Sequence, residues 1–507
     1  MPLVSEDSRH ARLLGLCAEL LESRRLIVVS NRGPVDHVQG PDGRLQVRRG
    51  SGTLVTALTP LLRNVEFTWI ASAMGEGDRK VWEERGGGRI AADLPGYRVS
   101  VRYISTPRRV YHRYYNLFCN PLLWFLHHYL WSSSYTPNID LAVHDAWDNG
   151  YIPVNQAFAA EVAAEAASWD TPPWVLLHDY HLYLVAAEVR RTVPGAVIQH
   201  VIHTPWPDAS YWQLLPTRMR RSILESLCSA DILGFQARRD AYNFLQTCDL
   251  QLPQARVDHA SSSVEFGGRR TLVRLYPLSI DVEEVRRIAT SPRAQDYEQR
   301  LRPLCAEKTI VRVDRAEPNK NILRGFRAYE LLLERHPELR HRVTFLAFLV
   351  PSRTHIRQYQ RYLEEVQEQA NTINASYGSA DWQPIRLFLE NNYLQAVAGM
   401  RLFDVMLVNP VIDGMNLIAK EGPVVNTRDG VLVLSETAGA YPQLADGALP
   451  VSPADVEGTM QAIYQALTMP PEERAQRRAQ LVLAVEQEDV VHWISRQLED
   501  LRSIAGP

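Results

Sequence analysis

The chain has 507 residues, of which 46% are hydrophobic and 22% charged, and its formal net charge at pH 7 is -3. That length is about twice the size at which one hydrophobic core stops growing, so it predicts two folded domains. The composition excludes disordered and fibrous proteins. Because basic residues are not in excess, nucleic acid and anionic membranes are not expected as partners.

The cysteines and the apolar runs indicate the compartment. Five cysteines are widely spaced and never form a C-x-x-C pair, which argues against a disulfide framework and against a structural zinc site. The N-terminal residues lack the pattern of a signal peptide, and no apolar run reaches the roughly 20 residues that cross a bilayer. We therefore expect a soluble, cytoplasmic protein.

A short helix is predicted at the start of the chain. Ser8 has the side chain of a helix cap, and an apolar stripe follows it from Leu13 to Leu21. Because this stripe is brief and precedes the first predicted strand, residues 1–25 are interpreted as an N-terminal extension.

After residue 25, apolar strand-like runs alternate with segments of helical period, which is typical of α/β proteins with parallel sheets covered by helices. The runs are LIVVS, TWIASA, WVLLHD, VIQHVIH and DILGF, then TIVRV, VTFLAF, IRLFL, VMLVN and VLVLS. A boundary near Ile280 divides them into domains of residues 26–280 and 281–486. The stretch 75–150 is interpreted as an aromatic-rich insert, and Asp42-Gly43 predicts a hairpin turn. Because such sheets bind ligands at the carboxyl ends of their strands, a cleft between the domains is expected.

Two glycine-bearing loops lie near the first predicted strand. SNRGP at residues 30–34 follows the strand directly, and RRGSGTL at residues 48–54 leads into a helix. Backbone N–H groups of such loops can bind a phosphate, and an arginine adds bidentate hydrogen bonds. Glycine also occupies strand-to-helix loops for steric reasons alone, and this alternative stays open.

Ionisable side chains end two successive strand-like runs. HDYHL at residues 178–182 contains Asp179, and IHTPWP at residues 202–207 contains His203. Neighbouring parallel strands end at one edge of a sheet, so both side chains are expected there, where they can bind sugar hydroxyls or position a proton. A single histidine at a strand end is more often a hydrogen-bonded surface residue, but the pair favours a functional site.

RAEPNKN at residues 315–321 follows the first strand of the second half. Arg315 and Lys320 can both face a diphosphate and stabilise the charge that builds as it leaves. The sequence has no Asp-x-Asp pair to hold a divalent metal, so cations of the protein would have to meet that charge. We expect no metal and no cofactor. The alternative for this segment is a solvated basic loop.

NPVIDGMNLIAKE at residues 409–421 follows another strand-like run. Asp413 and Gly414 precede a predicted helix whose first N–H groups are free, and Glu421 lies about two turns further on. One segment can thus offer a carboxylate to a sugar, amides to a phosphate and a second carboxylate to ribose hydroxyls. An Asp-Gly pair before a helix can also be a simple N-cap, and the spacing does not decide between the two.

The order of these motifs resembles the trehalose-6-phosphate synthase family of retaining glycosyltransferases. The matching segments are SNR, GSGTL, YYN with LLW, HDYHL, HTPWP, R-x-E-x-x-K, PSR and DGMNL-x-AKE, and they extend from about Leu26 to Trp493. The resemblance implies the GT-B architecture of two Rossmann-like domains facing across a cleft, with acceptor-binding residues mainly in the first domain and nucleotide-sugar-binding residues in the second. It also implies metal-independent transfer and a last helix, within residues 487–507, that packs back on the first domain.

The resemblance assigns roles position by position. The acceptor glucose 6-phosphate would be bound by Arg32, Tyr115, Trp124, Asp179 and Arg353. The nucleotide-glucose donor would be bound by Gly52, His203, Arg315, Lys320, Arg401, Asp413, Gly414, Met415, Asn416, Leu417 and Glu421. The implied catalytic residues are Asp179, His203, Arg315 and Lys320. No covalent nucleophile is implied, because the leaving phosphate oxygen takes the acceptor proton.

Several positions depart from the commonest pattern of the family. They are Thr53, Ser279, Ala316, Glu317, Asn321 and Ile412. None of them removes a charged group assigned to the diphosphate. The loops that read the nucleotide base follow no rule that the sequence reveals, so UDP-, GDP- and ADP-glucose stay open as donors.

Other functions are compatible with these motifs. Glucosylglycerol-phosphate synthases and cyclitol pseudo-glycosyltransferases share the fold and much of the diphosphate site, so acceptor-side residues must separate them. A non-catalytic paralogue that senses sugar phosphates is a further alternative, and the intact charged set argues against it. The sequence leaves the oligomeric state open, including a homo-oligomer.

Overall fold

The computed structural model describes residues 6–21, 24–40, 44–50 and 52–505. The chain divides into two compact units, the first of Met1–Pro277 with Val491–Pro507 and the second of Leu278–Val490. The division falls close to the predicted boundary at Ile280. Within the described residues, no helix combines the length and the apolar character needed to cross a membrane.

The first unit is built around a ten-stranded sheet with the order β10-β11-β12-β9-β8-β7-β1-β4-β6-β5. The strands of this unit are β1 (Leu26–Val29), β2 (Val35–Gln39), β3 (Leu45–Arg49), β4 (Phe67–Ser72), β5 (Ile90–Ala91), β6 (Val99–Ile104), β7 (Trp174–His178), β8 (Val197–Val201), β9 (Ile232–Phe235), β10 (Arg256–Asp258), β11 (Ser263–Phe266) and β12 (Arg269–Leu275). The strands from β12 to β6 pair in parallel, whereas β10, β11 and β5 are antiparallel. The hairpin of β2 and β3 stands outside this sheet.

Helices cover this sheet, and the central strands are buried over their whole length. They read as continuous apolar runs because both faces of a parallel sheet are covered. The helices are α1 (Glu6–Leu21), α2 (Thr53–Ala57), α3 (Thr59–Asn64), α4 (Glu76–Glu84), α5 (Arg108–Tyr111), α6 (Trp124–His127), α7 (Leu141–Ala146), α8 (Ile152–Ala166), α9 (Val185–Thr192), α10 (Thr217–Leu227) and α11 (Arg238–Gln251). Wider π-helical turns form His112–Leu123 and Trp147–Tyr151, and 3-10 turns form Tyr180–Leu182 and Tyr211–Leu214.

The second unit contains a six-stranded, wholly parallel sheet with the order β15-β14-β13-β16-β17-β18. The strands are β13 (Lys308–Arg315), β14 (Val343–Val350), β15 (Ile385–Phe388), β16 (Val405–Val408), β17 (Val431–Ser435) and β18 (Leu449–Val451). This order, 3-2-1-4-5-6 by position in the chain, is that of dinucleotide-binding folds. The order reverses between β13 and β16, and such folds bind ligands beyond the carboxyl ends of those two strands.

The helices of the second unit pack on both faces of its sheet. They are α12 (Val282–Ala289), α13 (Pro292–Leu301), α14 (Ile322–Arg335), α15 (Arg357–Tyr377), α16 (Tyr393–Arg401), α17 (Ile418–Val425), α18 (Tyr441–Leu444), α19 (Val456–Thr468) and α20 (Pro471–Gln487), with 3-10 turns at Arg302–Leu304, Pro318–Lys320 and Pro337–Leu339. One large core cluster joins α14, α15 and α19 to the sheet through fully buried side chains such as Phe326, Val366 and Ile463.

The last helix, α21 (Val490–Ala505), belongs almost entirely to the first unit. The indole Nε1 of Trp493 donates to the carbonyl of Tyr276 across 3.0 Å, and the hydroxyl of Tyr276 donates to Asp500. On the same unit, Arg12 of α1 forms an ion pair with Glu499. Both ends of the chain therefore contribute a helix to the first unit.

The structure corrects two sequence predictions. Ser8 does not cap the first helix, because that helix already includes Glu6. The stretch 75–150 is not wholly an insert, since β6 within it is a strand of the main sheet and pairs with β4. Its alternating pattern, VSVRYI, was too short and too polar to stand out. The strands β2 and β3 form the predicted hairpin, but its turn residues Asp42 and Gly43 lie outside the described residues.

Candidate functional site

The loop after β1 presents an arginine and anchors itself through its neighbour. The guanidinium of Arg32 is exposed and makes no hydrogen bond or ion pair with the described residues. Asn31 is buried, and its amide accepts from Ser72 and donates to the hydroxyl of Tyr111 across 3.1 Å. The same amide oxygen accepts from Tyr114. Arg32 therefore projects from a firmly held loop at the carboxyl end of a central strand.

An aromatic stack lies beside that loop. The ring of Tyr115 lies between those of Tyr111 and His181, with centroid distances of 5.5 and 5.8 Å and nearly parallel planes. His181 stacks in turn on Tyr180, and its carbonyl accepts from the hydroxyl of Tyr114. The stack thus joins the predicted acceptor residue Tyr115 to the segment that follows β7.

Asp179, directly after β7, has a backbone conformation that few non-glycine residues adopt. Its φ is 73° and its ψ 173°, a region that costs of order 1–3 kcal/mol for a residue with a Cβ. Hydrogen bonds hold it there: its N–H donates to Val201, and its carbonyl accepts from Nε2 of His200. Its carboxylate accepts from the N–H of His203 across 3.4 Å and is 24% exposed. The sequence prediction that Asp179 and His203 meet at one sheet edge is confirmed.

His203 is a neutral side chain with a fixed tautomer. The amide nitrogen of Gln236 donates to the carbonyl of Ile202 and, across 3.3 Å, to Nδ1 of His203, so the ring proton lies on Nε2. That Nε2–H donates to Nδ1 of His178 at 3.1 Å. Burial lowers the pKa of His203 to about 4, and it lowers the pKa of His178 as well. His203 can therefore act as a hydrogen-bonding group at neutral pH, without a positive charge.

Trp124 and Gly52, two other residues that the resemblance assigns to substrate binding, also lie in the first unit. Trp124 is only 3% exposed, and its ring stacks on His128 at 4.1 Å, so it contributes to the core around the site. Gly52 is the N-cap residue of α2, with exposed backbone and nothing within 4 Å of where a Cβ would lie. At Gly50 the steric explanation is right, because a Cβ there would come within 2.6 Å of the carbonyl of Gly33.

In the second unit, Lys320 and Asp413 come from the loops that follow β13 and β16. Their ammonium and carboxylate groups form an ion pair with side chains 11% and 13% exposed. Burial opposes the charge on the lysine, but Asp413 and Asp314 together hold the pKa of Lys320 above its ordinary value. A buried, paired lysine at the switch point rules out the alternative of a solvated basic loop for this residue.

A buried arginine fixes the loop that carries Lys320. Arg312, fully buried in β13, donates from Nη2 to the carbonyl of Lys320 at 2.7 Å and to the side chain of Asn409 at 2.6 Å. Asn321 has the left-handed φ of 60° and donates to the carbonyls of Asn409 and Pro453. Asparagine tolerates that conformation better than other side chains do, which explains how it replaces the glycine usual in the family.

Glu317 holds two arginines of the same unit. Its fully buried carboxylate accepts from the hydroxyl of Ser352 and from Nη1 of Arg353, at 2.7 and 3.0 Å, and lies 3.3 Å from Nη1 of Arg315. Burial tends to raise the pKa of Glu317, but Arg315, Arg353 and Lys320 outweigh it and leave that pKa below its ordinary value. The guanidinium of Arg315 is about half exposed, whereas that of Arg353 is mostly buried.

The segment from Asp413 to Leu417 is held in place mainly through its carbonyl groups. The carbonyl of Asp413 accepts from Gly439, and the carbonyl of Met415 accepts from Ala440. A Cβ at Gly439 would lie 1.8 Å from the carbonyl of Gly414, so only glycine permits this approach. Among the described residues, no backbone carbonyl accepts from the N–H groups of Gly414, Met415, Asn416 or Leu417. Helix α17 begins at Ile418, so Asp413 is not an N-cap, and the side chain of Asn416 accepts from Ala419 instead.

Glu421, on α17, is buried beside a tyrosine. Burial raises the pKa of Glu421 to about 7, and the hydroxyl of Tyr393 donates to its Oε2 at 3.0 Å. Arg401, also predicted to bind donor, forms its ion pair with Glu298 at 2.6 Å. Within the described part of the chain, no contact joins Arg401 to the Lys320–Asp413 pair or to Glu421, so its role stays a prediction.

Sequence reasoning missed several residues that shape these groups. They are Asn31, His178, Gln236, Arg312, Glu317 as a clamp, and Tyr393. A polar residue inside an apolar strand, such as Arg312 in TIVRV, was a signal that could have been used, because buried charge needs a partner. Among the described residues, no group of three or more His, Cys, Asp or Glu side chains is arranged to hold a metal ion.

Comparison with known proteins identifies the family. The sequence model of glycosyltransferase family 20 matches residues 24–503. The chain belongs to glycosyltransferase family 20. The resemblance to the trehalose-6-phosphate synthase family is thereby confirmed, and the chain is a glycosyltransferase.

Relatives of this family 20 glycosyltransferase match most of the chain. An alpha,alpha-trehalose-phosphate synthase [UDP-forming] A of Dictyostelium discoideum is 32% identical over 93% of this chain. The chain spans 61% of the length of that relative.

Solved structures match the fold. An E. coli protein with bound UDP-2-fluoro glucose superimposes with a TM-score of 0.79 at 28% identity, over 94% of this chain and 98% of that one. An alpha,alpha-trehalose-phosphate synthase (UDP-forming) from Burkholderia xenovorans in complex with glucose-6-phosphate gives 0.80 at 27% identity, over 94% and 99%. The predicted α/β class with two parallel, Rossmann-like sheets is confirmed, and the matches support the GT-B assignment.

Proposed function

We propose that this glycosyltransferase is an α,α-trehalose-6-phosphate synthase, which transfers glucose from a nucleotide-glucose donor to glucose 6-phosphate with retention and without a metal ion. The observation that carries the proposal is the Lys320–Asp413 pair at the switch point of the second sheet, beside the amides of residues 414–417, which donate to no backbone carbonyl of the described residues. The names of the relatives, and the UDP-sugar and glucose-6-phosphate bound to two solved structures, support the choice of substrates.

In this proposal the second unit binds the donor. The ammonium of Lys320 and the guanidinium of Arg315 face the diphosphate and stabilise its negative charge as the bond to glucose breaks. The amides of residues 414–417 donate to the same phosphates. Asp413 accepts from hydroxyls of the donor glucose, and Glu421 accepts from those of the ribose.

The first unit contributes mainly to the acceptor. Arg32 of this unit pairs with the phosphate of glucose 6-phosphate, as does Arg353 of the second unit, and Tyr115 packs against the sugar. Asp179 accepts from an acceptor hydroxyl. Neutral His203 contacts the donor glucose with its Nε2–H, which then releases Nδ1 of His178, and no protein side chain forms a covalent intermediate. Trp124, from within the core, supports the wall of this acceptor site.

A substrate panel tests the proposal. The purified full-length chain is incubated with UDP-, GDP- or ADP-glucose and with glucose 6-phosphate, and the product is identified by mass spectrometry and by the NMR couplings of its anomeric protons. We expect trehalose 6-phosphate with the α,α linkage, formed equally well after treatment with a chelator. Glycerol 3-phosphate and a cyclitol phosphate serve as alternative acceptors. Product from either of these, with none from glucose 6-phosphate, would disprove the proposed acceptor.

The cytoplasmic location, the lack of nucleic-acid and membrane partners, the lack of a cofactor and the homo-oligomeric alternative stay predictions from the sequence. A sedimentation measurement on the purified chain decides the oligomeric state directly.

A further inference from the structure

A pocket on the first unit is lined by none of the residues assigned to the donor or the acceptor above. It has a volume of about 450 Å³, which is in the range of small-molecule sites. We name it the Arg79 pocket after the arginine whose guanidinium forms no ion pair or hydrogen bond with the described residues. Its walls come from the start of α4 and from the segment that begins with α5, and the residues that matter to the argument are Met74, Glu76, Arg79, Arg108, Tyr111 and His112.

The charge of the Arg79 pocket is positive. Arg79 and Arg108 supply two guanidinium groups, and the one carboxylate among the lining residues, Glu76, lies 2.9 Å from Nη2 of Arg108. Both members of that ion pair are highly exposed, at 75% and 88%, so it contributes little stability by itself. His112 adds an imidazole, whose Nδ1 accepts from the amide of Asn116 and whose other nitrogen is therefore a donor.

Arg79 is the residue that points to a ligand. It forms no ion pair and no hydrogen bond with the described residues, and its Nε is buried without a partner. A buried donor that is left unsatisfied is destabilising, and an arginine near the start of a helix also opposes the helix dipole. An anion in the pocket would supply the counter-charge that the guanidinium of Arg79 lacks among the described residues.

The composition of the walls indicates the kind of anion. Two guanidinium groups with planar, bidentate donors match the oxygens of a phosphate. The ring of Tyr111 and the side chain of Met74 supply an apolar wall, which suits the carbon skeleton of a small organic phosphate. A phosphate monoester of sugar size therefore fits this pocket better than a bare inorganic ion.

The pocket shares one wall with the predicted acceptor residues. The hydroxyl of Tyr111 accepts from Asn31, the neighbour of Arg32, and its ring stacks on Tyr115 at 5.5 Å. A ligand that contacts Tyr111 therefore touches a side chain that stacks on Tyr115 and accepts from the neighbour of Arg32.

From these observations we propose that the Arg79 pocket is a second phosphate-binding site of this protein, which takes a phosphate monoester through Arg79, Arg108 and His112. It is distinct from the acceptor site assigned to Arg32, Tyr115, Trp124 and Arg353. The proposal does not depend on the catalytic activity.

The test measures binding of inorganic phosphate and of glucose 6-phosphate, with unphosphorylated glucose as a neutral comparison, by equilibrium dialysis of the full-length chain. An Arg32→Ala, Arg353→Ala double variant removes the predicted acceptor phosphate contacts. We expect glucose 6-phosphate to bind this variant with a stoichiometry of one, more tightly than inorganic phosphate, and glucose not to bind. Adding Arg79→Ala or Arg108→Ala to the double variant should raise the Kd for glucose 6-phosphate about 10-fold or more. That is the loss expected when one charge-assisted contact is removed.

Two further variants sharpen the result. Glu76→Gln removes the competing carboxylate and should tighten binding, whereas Arg85→Ala, at the exposed C-terminal end of the same helix, should leave the Kd unchanged. Because Arg79 forms no ion pair or hydrogen bond within the part of the chain that the structure describes, its variant should keep the Tm of the parent. No binding to the double variant, or an equal Kd with and without both Arg79 and Arg108, would overturn the proposal.

Discussion

The ammonium group of Lys320 pairs with the carboxylate of Asp413 between two loops that lie 93 residues apart in the chain. Each loop follows a strand on one side of the switch point of the second sheet, so the pair joins the two halves of a nucleotide-binding fold. Because Asp413 already neutralises it, Lys320 stays charged while buried, and it is in position before any substrate binds.

Replacing Lys320 should reduce turnover strongly. If its charge stabilises the leaving diphosphate, Lys320→Ala should lower kcat on the order of 100-fold, the loss typical of a single electrostatic donor. Initial rates of nucleoside-diphosphate release with glucose 6-phosphate measure the effect. Lys80→Ala, on an exposed face of α4, is the matched control and should retain full activity. Equal rates in the two variants would contradict the assigned role.

Replacing Glu317 should weaken the binding of the acceptor, because its carboxylate holds Arg353. Removing it in Glu317→Ala leaves Arg353 without a buried counter-charge, which should cost about 3–5 kcal/mol of unfolding free energy. Glu317→Gln keeps the contact with Ser352 but not the charge, so it should cost less and raise the KM for glucose 6-phosphate. Chemical denaturation and steady-state kinetics measure the two effects. A KM unchanged in the glutamine variant would show that Glu317 is structural only.

The Tyr393–Glu421 contact should make donor affinity depend on pH. Burial raises the pKa of Glu421 to about 7, so the carboxylate ionises as the pH rises through neutrality and then accepts from both ribose hydroxyls. The KM for the donor should therefore fall between about pH 6 and about pH 8. The hydrogen bond from Tyr393 lowers that pKa, so in Tyr393→Phe the fall should move to higher pH with kcat unchanged.

Glu421→Gln serves as the control for this pH profile. A neutral amide cannot titrate, so the KM for the donor should become flat over the same range. If the wild-type KM is itself flat, or if the glutamine variant keeps the fall, Glu421 is not the titrating group.

Buried neutral histidines should destabilise the first unit in acid. Burial lowers the pKa of His200 and of His203 to about 4, against about 6.5 in the unfolded chain. Between these values the unfolded state binds more protons, so stability is lost as the pH falls from about 6.5 to about 4, by up to ~1.4 kcal/mol per pH unit for each histidine. Asp240, whose pKa burial raises to about 6, acts in the opposite direction over part of that range.

A difference measurement isolates the histidine contribution. Urea denaturation followed by tryptophan fluorescence gives the free energy of unfolding at each pH for wild type, His200→Gln and the exposed control His259→Gln. His200→Gln should reduce the slope by about one proton, and the control should not. An unchanged slope in His200→Gln would mean that His200 is already charged in the folded protein.

The sequence predicted the strand and helix alternation because parallel strands buried on both faces must be continuously apolar. For the same reason the chemistry after those strands could be found: Asp179, His203, Arg315, Lys320 and Asp413 all lie just beyond apolar runs. Strands without such a run were missed, as with β6. The N-cap interpretation of Ser8 failed because capping side chains also occur inside helices.

Partnership between distant residues was decided only by the tertiary structure. Nothing in the sequence indicates that Gln236 fixes the tautomer of His203, that Glu317 holds Arg353, or that Asp413 meets Lys320. The sequence determined the types of side chain and their places at strand ends, because local patterns of hydrophobicity are properties of the chain itself. Charge state and orientation depend on burial and on partners that only folding brings within hydrogen-bonding distance, and so the structure alone could assign them.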